Sequence, residues 1–237
     1  MLDMEDFAIK GFSRLPGAIA TSDLNQVTDI GLLAIQAVYP TAKNLQDSNW
    51  VREASARPDL VAEAYGLLQN HSFLHSLGLN EKMWGIACSL LNDPLMYEKV
   101  AFRIDIPHET KEMAWWHQDN HYVKGLTNDI TIWFPLFDTR IEQGPISVMP
   151  GSHQMGSIQH EHQFGKKRIP RGIYDREIRI MEINAGDALV FDGCLLHSSN
   201  VNFSNEIRYS VQMRYTQQKE VSVSMGSLLR RESLGDA

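Results

Sequence analysis

The segment AWWHQDNHYV sets His117 and Asp119 two residues apart. Side chains alternate between the faces of an extended strand, so both would project to one side and could grip one ion. Far downstream, NAGDALVFDGCLLHSSN supplies His197 after a Gly-Asp turn and a strand, where closure of a barrel could return it to the first pair. Two histidines and one carboxylate form the set that leaves three positions open on Fe(II) for a cosubstrate and oxygen. An H-x-D pair alone equally describes an ordinary polar strand end. Arg208 adds to the case, because it follows His197 by eleven residues across the turn-rich stretch VNFSN, which is expected to fold two strands antiparallel and bring the pair together. A guanidinium donates two parallel, charge-assisted hydrogen bonds to a terminal carboxylate. A rim salt bridge is the competing account of Arg208, and Arg214, on the same strand face, is its rival for that role.

These residues need elements to hold them. Ser22 is expected to cap LNQVTDIGLLAIQAVYP, whose Leu24, Val27, Ile30, Ala34 and Val38 recur at helical spacing until Pro40. Helical patterns also cover about residues 48–69 and 80–91, so that 1–96 is expected to be largely helical. From Tyr97 the period changes to two, in KVAFRIDIP, DITIWFPLFD, REIRIMEI, DALVFD and EIRYSVQMRYT, each bounded by Gly, Pro, Asn or Asp. This predicts a β barrel or sandwich over about 97–217, preceded by helices and followed by a tail at 218–237. Alternation sets Val100, Phe102, Ile104 and Ile106 opposite Arg103 and Asp105, sets Ile130, Ile132 and Phe134 opposite Thr131 and Trp133, and sets Tyr209, Val211, Met213 and Tyr215 opposite Arg208, Ser210, Gln212 and Arg214. Either the polar faces are wet, or the apolar faces lie under the N-terminal helices and the polar faces line a barrel interior. The strand pattern leaves both open.

At 237 residues with 43% hydrophobic content, the chain can bury one substantial core, and a single domain is expected. The formal net charge of -7 argues against a nucleic-acid partner, which requires a basic face to displace counterions. Cys88 and Cys194 are too few for a disulfide framework and lack paired metal-site spacing, so they read as reduced thiols. The N-terminal MLDMEDFAIK lacks a basic and then apolar leader, and no apolar run is long enough to span a bilayer. A soluble, cytoplasmic protein with no membrane partner is expected. The sequence is silent on oligomeric state.

WHQD at 116–119, ITIWFPLFD at 130–138, GPISVMPGSH at 144–153, and GDALVFDGCLLHSS followed by Arg208 occur in a specific order and spacing. From about Lys99 to Thr216 the chain thereby resembles the phytanoyl-CoA dioxygenase family of Fe(II)/2-oxoglutarate-dependent oxygenases. The N-terminal third matches loosely, through GFSRLPGAIATSDL, and is short for the family. The resemblance implies iron at His117, Asp119 and His197, with 2-oxoglutarate touched by Trp133, Ser199 and Arg208. It implies a double-stranded β-helix, or cupin-like jelly roll, with N-terminal helices packed on one sheet. The activity implied is oxidation of an unactivated C–H bond of a small metabolite, hydroxylation first, with O2 consumed and succinate and CO2 released. Related halogenases leave a small residue at the Asp119 position to admit chloride, so Asp119 favours oxygen transfer. A non-oxygenase metal enzyme on the same barrel and a silent metabolite-binding module are the alternatives.

Other residues carry weaker signals. Arg103 and Asp105 occupy the candidate inner face of the entry strand, as cosubstrate or substrate contacts or as a buried ion pair. Trp115 shares the His117 face by parity and is a candidate substrate contact, together with Asn120 and His121, whereas Trp116 is expected to be structural. Residues 152–178 are long, polar and aperiodic, and read as a lid over the barrel mouth or as a loop without substrate contact. His153, His160 and His162 are more simply incidental than a second metal site. His71 and His75 have the spacing of a zinc pair, but no third ligand accompanies them, and a helix surface is the better reading.

Overall fold

A computed structural model of the chain describes residues 2–69, 71–110, 116–121, 128–159, 161–163, 166–169, 176–217 and 228–231. Helix α1 (Met4–Lys10) is capped by Asp3, whose carboxylate accepts from the Asp6 amide at 3.0 Å, and it ends at Gly11 in the left-handed conformation. The turn delivers a short strand, β1 (Phe12–Leu15), inside the stretch expected to be largely helical. Helix α2 (Thr21–Val38) begins one residue before Ser22, with Ala20 at the cap position and no side-chain cap. Ser22 is therefore a first-turn residue and not the expected cap. The pattern expected over 48–69 forms two helices, α3 (Ser48–Ala56), capped by Asp47, and α4 (Pro58–Leu68). Pro58 separates them, because proline lacks the N–H an ongoing helix needs but suits a first turn. His71 caps α5 (Ser72–Gly78) by accepting from the Phe73 amide at 3.2 Å, and Asn80 caps α6 (Glu81–Leu90).

The remaining strands are β2 (Pro94–Tyr97), β3 (Ala101–Asp105), β4 (Asp129–Pro135), β5 (Ile146–Val148), β6 (Glu161–Gln163), β7 (Lys166–Arg168), β8 (Arg179–Met181), β9 (Ala188–Asp192), β10 (His197–Ser199), β11 (Arg208–Gln217) and β12 (Leu228–Leu229). A seven-stranded sheet runs β1-β9-β4-β11-β2-β12, with β3 also paired to β11. Strand β11 is its spine: β4 pairs along one edge, and β3 followed by β2 along the other. A second sheet runs β10-β5-β8, while β6 and β7 pair with each other. The result is a jelly roll buttressed by helices. Strand β12 falls within the expected tail and joins the main sheet through β2.

Burial decides between the two readings of the strand faces. Phe102, Ile132, Phe134, Val211 and Met213 bury completely in one cluster with Val27, Ile35, Trp50, Leu68 and Leu74 of the helices. Burying each such side chain stabilises the fold by about 1.5–3 kcal/mol. The helical layer is closely fitted: a Cβ on Gly31 of α2 would run into the Phe102 ring of β3. The Trp50 indole donates to the Tyr209 hydroxyl at 2.9 Å, and that hydroxyl donates to the Leu45 carbonyl at 2.8 Å, so the polar atoms of these two buried rings are satisfied. The opposite faces consequently point between the sheets. There Phe12, Trp133, Leu189 and Phe191 pack against Ile146, Val148, Ile183 and Leu195, making the β1–β9 side of the interior apolar. The β11–β3 side carries Arg103, Asp105, Arg208, Ser210, Gln212 and Arg214. Among the described residues, no helix is long and apolar enough to cross a membrane.

Candidate metal centre

His117 does not lie on an extended strand with Asp119, as the spacing suggests. It makes a single bridge, donating from its amide to the His197 carbonyl at 2.9 Å and accepting from the His197 amide at 3.0 Å. Residues paired directly across an antiparallel bridge present their side chains on the same side. The two imidazoles accordingly face each other, with ring centroids 4.2 Å apart. Immediately afterwards the chain enters a 3-10 turn, Asp119–His121, which swings the Asp119 carboxylate beneath the pair. Asp119 Oδ1 lies 3.7 Å from Nε2 of both histidines. One donor atom from each of the three residues lies within 4.8 Å of the others, and all three residues are buried.

The chemistry of this donor set fits a divalent first-row metal. His197 Nδ1 meets the Leu195 carbonyl at 3.0 Å, so that nitrogen carries the proton and Nε2 keeps its lone pair for an ion. Burial and the adjacent His117 push the His197 imidazole down to about 4, which keeps it neutral at physiological pH. Burial raises the Asp119 carboxyl, but the Arg214 guanidinium and the two histidines outweigh it and hold the group well below the usual carboxylate range. A neutral imidazole and an ionised carboxylate are the forms that bind Fe(II).

The turn is pinned from below by Gln118, a fully buried residue that the sequence reading passed over. Its Nε2 donates to the Cys194 carbonyl at 2.6 Å and to the Gly156 carbonyl at 2.8 Å, while its Oε1 accepts from the Ile158 amide at 2.8 Å. Nothing in single-strand periodicity reveals such a role, because the partners come from two distant loops. Asn120 donates to Cys194 Sγ at 3.2 Å and is buried, and its Oδ1 has no hydrogen-bond partner among the described residues. His121 closes the 3-10 turn. Trp115 lies outside the described residues. Trp116 packs with Met149, Ile169 and Leu196, the structural role expected of it.

Arg208 and His197 are not joined by a hairpin, contrary to the reading of VNFSN. Strand β10 belongs to the smaller sheet and β11 to the larger, so the turn carries the chain across the roll. Asn202 holds this crossing, donating to the carbonyls of Asp105 at 3.1 Å and Glu206 at 2.7 Å. Arg208 emerges buried opposite Asp105 and pairs with its Oδ2 at 3.0 Å, while Arg103 pairs with Oδ1 at 3.1 Å. Burial raises the Asp105 carboxyl, and the two arginines overcome it to lower the net value. Arg103, Asp105 and Arg208 line a cavity of about 440 Å³ together with Ser199 and Asn200, with Val61 and Tyr65 of α4 on its far side. Of the accounts posed for Arg103 and Asp105 the ion pair forms, and both residues also line this cavity. Arg214 is directed elsewhere: its Nε and Nη2 donate to both oxygens of Asp119, at 3.0 and 3.1 Å. Trp133 is buried in the apolar interior, in one cluster with Phe191, whose ring lies 4.6 Å from that of His197.

His153 is accounted for without a metal, since its Nε2 meets the Ala8 carbonyl at 3.1 Å and its ring lies over Gly11. His160 lies outside the described residues, and for His162 only the backbone of β6 is described.

The order of motifs and the roll agree with the comparisons with known proteins. The phytanoyl-CoA dioxygenase (PhyH) family matches residues 28–210. The chain is 25% identical over 158 residues to a phytanoyl-CoA dioxygenase domain-containing protein 1 homolog of Dictyostelium discoideum, covering 61% of this chain and 50% of that one. It is 27% identical over 157 residues to an L-proline trans-4-hydroxylase of Streptomyces griseoviridis, covering 55% of this chain and 58% of that one. It thus spans little more than half the length of these relatives. The structure of EctD from S. alaskensis with 2-oxoglutarate and 5-hydroxyectoine superimposes with a TM-score of 0.65 at 14% identity, covering 92% of this chain and 77% of that one. With a match over most of its length and the metal-binding residues brought together as the motifs require, the chain belongs to the phytanoyl-CoA dioxygenase family.

Proposed function

We propose that the protein is an Fe(II)- and 2-oxoglutarate-dependent dioxygenase that hydroxylates an unactivated C–H bond of a small metabolite. The observation that carries this reading is the convergence of His117, Asp119 and His197, with donor atoms within 4.8 Å of one another, in a roll that also holds the cavity-lining Arg208 and Ser199, the latter lying two residues from His197 on β10. When bound, the iron and 2-oxoglutarate supply the oxidising chemistry, with succinate and CO2 released as oxygen is consumed. The protein's work is to hold, orient and keep dry. His197 enters with its proton fixed on Nδ1 by the Leu195 carbonyl, and Asp119 enters ionised. Arg208, backed by Asp105, offers a cationic edge to the distal carboxylate of 2-oxoglutarate, and Ser199 in the same cavity adds a hydroxyl. Trp133 and Phe191 form an apolar wall beside the metal ligands, which excludes water from the reacting carbon.

A small-molecule substrate is consistent with the relatives, one named as an L-proline hydroxylase and another solved with 5-hydroxyectoine. Asn120, His121 and Trp115 are the candidate substrate contacts around the metal turn. We read 152–178 as a lid: among its described residues the Ile158 amide is held by Gln118, and the Ile169 amide donates to the Trp116 carbonyl at 3.3 Å, so these two residues adjoin the metal motif. The cytoplasm is the compartment that suits two free cysteines, Cys88 and Cys194.

Fe(II) and 2-oxoglutarate added without air should give a visible charge-transfer absorption, and admitting air should convert 2-oxoglutarate to succinate. Absence of the absorption, or full activity in Asp119→Ala, would overturn the proposal.

A further inference from the structure

The Asp119 carboxylate is held more tightly than a metal ligand needs to be for placement alone. Oδ2 accepts from the Thr131 hydroxyl at 2.6 Å and from Arg214 Nε at 3.0 Å, which occupies both of its lone pairs. Oδ1 accepts from Arg214 Nη2 at 3.1 Å and turns its remaining lone pair towards the two imidazoles, 3.7 Å from each Nε2. Arg214 is itself steadied, because its Nη2 also donates to Gln212 Oε1 at 3.1 Å. Thr131 and Arg214 are direct partners in the register of β4 and β11, so the two donors reach Asp119 from adjacent strands of one rigid sheet. Both are on the interior face. Asp119 is 1% exposed, so in the folded protein its carboxylate relies on these donors and not on bulk solvent.

We infer that Thr131 and Arg214 are positioning residues that restrict Asp119 to one-oxygen ligation through Oδ1. A carboxylate free at both oxygens can chelate a metal and fill one of the positions that the His-His-carboxylate set otherwise leaves open. With Oδ2 committed to the Thr131 hydroxyl and Arg214 Nε, that route is closed. Three positions then remain for a two-point cosubstrate and oxygen. The inference rests on the proposed iron and 2-oxoglutarate reading, and it assigns to Arg214 a role distinct from the carboxylate anchor formed by Arg208.

The clamp predicts a split between metal affinity and cosubstrate affinity. Co(II), whose visible spectrum reports coordination, serves as the probe, with titrations of Co(II) alone and then of 2-oxoglutarate into the Co(II)-loaded full chain. Thr131→Val keeps shape and charge while removing the donor, Thr131→Ser restores the hydroxyl, and Arg214→Met removes the guanidinium. Thr131→Val and Arg214→Met should bind Co(II) as tightly as the wild type or more tightly. Their Kd for 2-oxoglutarate should rise about tenfold, close to 1.4 kcal/mol, with wild-type behaviour recovered in Thr131→Ser. Should Co(II) and 2-oxoglutarate weaken together by the same factor, or should neither change in Thr131→Val, the clamp is refuted. Wild-type protein that takes up Co(II) but no 2-oxoglutarate would bring down the oxygenase reading, and the clamp with it. Wild-type binding of both, with unaltered variants, would bring down the clamp alone.

Discussion

Around the candidate site Arg103 and Arg208 pair with Asp105 and Arg214 pairs with Asp119, and the consequences of removing one differ by site. Asp119 is the carboxylate common to both imidazoles, so Asp119→Ala should abolish the rise in melting temperature that Co(II) or Fe(II) gives the wild type, measured by thermal melts with and without metal. Arg208 shares Asp105 with Arg103. Arg208→Met removes a charge-assisted pair from the cavity and leaves Asp105 with one arginine, so the 2-oxoglutarate Kd should rise by about 10- to 100-fold, as expected for the loss of ~1.5–3 kcal/mol. Adding Asp105→Asn should recover stability without recovering affinity, as isothermal titration would show. Arg208 and Arg214 share a face of β11, and parity alone could not rank them. Their partners do, since one arginine meets a cavity and the other meets a metal ligand.

At the scale of elements, the turn before β5 shows why a motif glycine is needed. Gly144 has φ +68, and a Cβ there would meet the carbonyls of Asn200 and Val201. The same turn presents the Gln143 carbonyl to Arg208 Nη1 at 3.4 Å. Gly144→Ala should therefore cost about 1–3 kcal/mol through backbone strain, lowering the melting temperature by roughly 2–4 °C for each kcal/mol in a chain of this size. Calorimetry would measure the loss, and a weaker 2-oxoglutarate affinity should accompany it. The expected helices and strands were legible wherever periodicity ran long, as in α2, β4 and β11. The short pieces were not: β1 and β12 offer four and two residues, and pairing with β9 and β2, respectively, makes them strands. The helix boundary at Pro58 was available in the sequence as a proline signal.

Across the molecule, the interior concentrates acidic groups that compensate one another unequally. Asp129 is buried, neither carboxylate oxygen has a hydrogen-bond partner among the described residues, and burial together with Asp119 and Asp192 pushes its carboxyl up to about 8. A carboxyl whose folded value is raised binds its proton more tightly when folded. Its contribution to stability is fully present below the unfolded value near 3.8 and is lost as pH rises through about 8. In the presence of a chelator the wild type should therefore lose stability from about pH 4 to about pH 8 more steeply than Asp129→Asn. The variant should melt several degrees higher at the alkaline end, the difference shrinking towards acid pH. Parallel melting curves for the two proteins would contradict this account.

The amino-acid order by itself determined the candidate ligand types, their spacing and which residues of β3, β4 and β11 share a face, because these depend on local geometry with a fixed period. It also carried the family motifs that order His117, Asp119, His197 and Arg208 along the chain. Tertiary structure decided that the polar strand faces turn inward, because helices cover the apolar ones. It replaced the expected strand at His117 and Asp119 with a bridge and a 3-10 turn. It sent the VNFSN crossing from one sheet to the other, and it separated the duties of two arginines on one strand. Those outcomes depend on contacts between residues far apart in the chain, such as Arg214 with Asp119 and Gln118 with Cys194, and no local period encodes them.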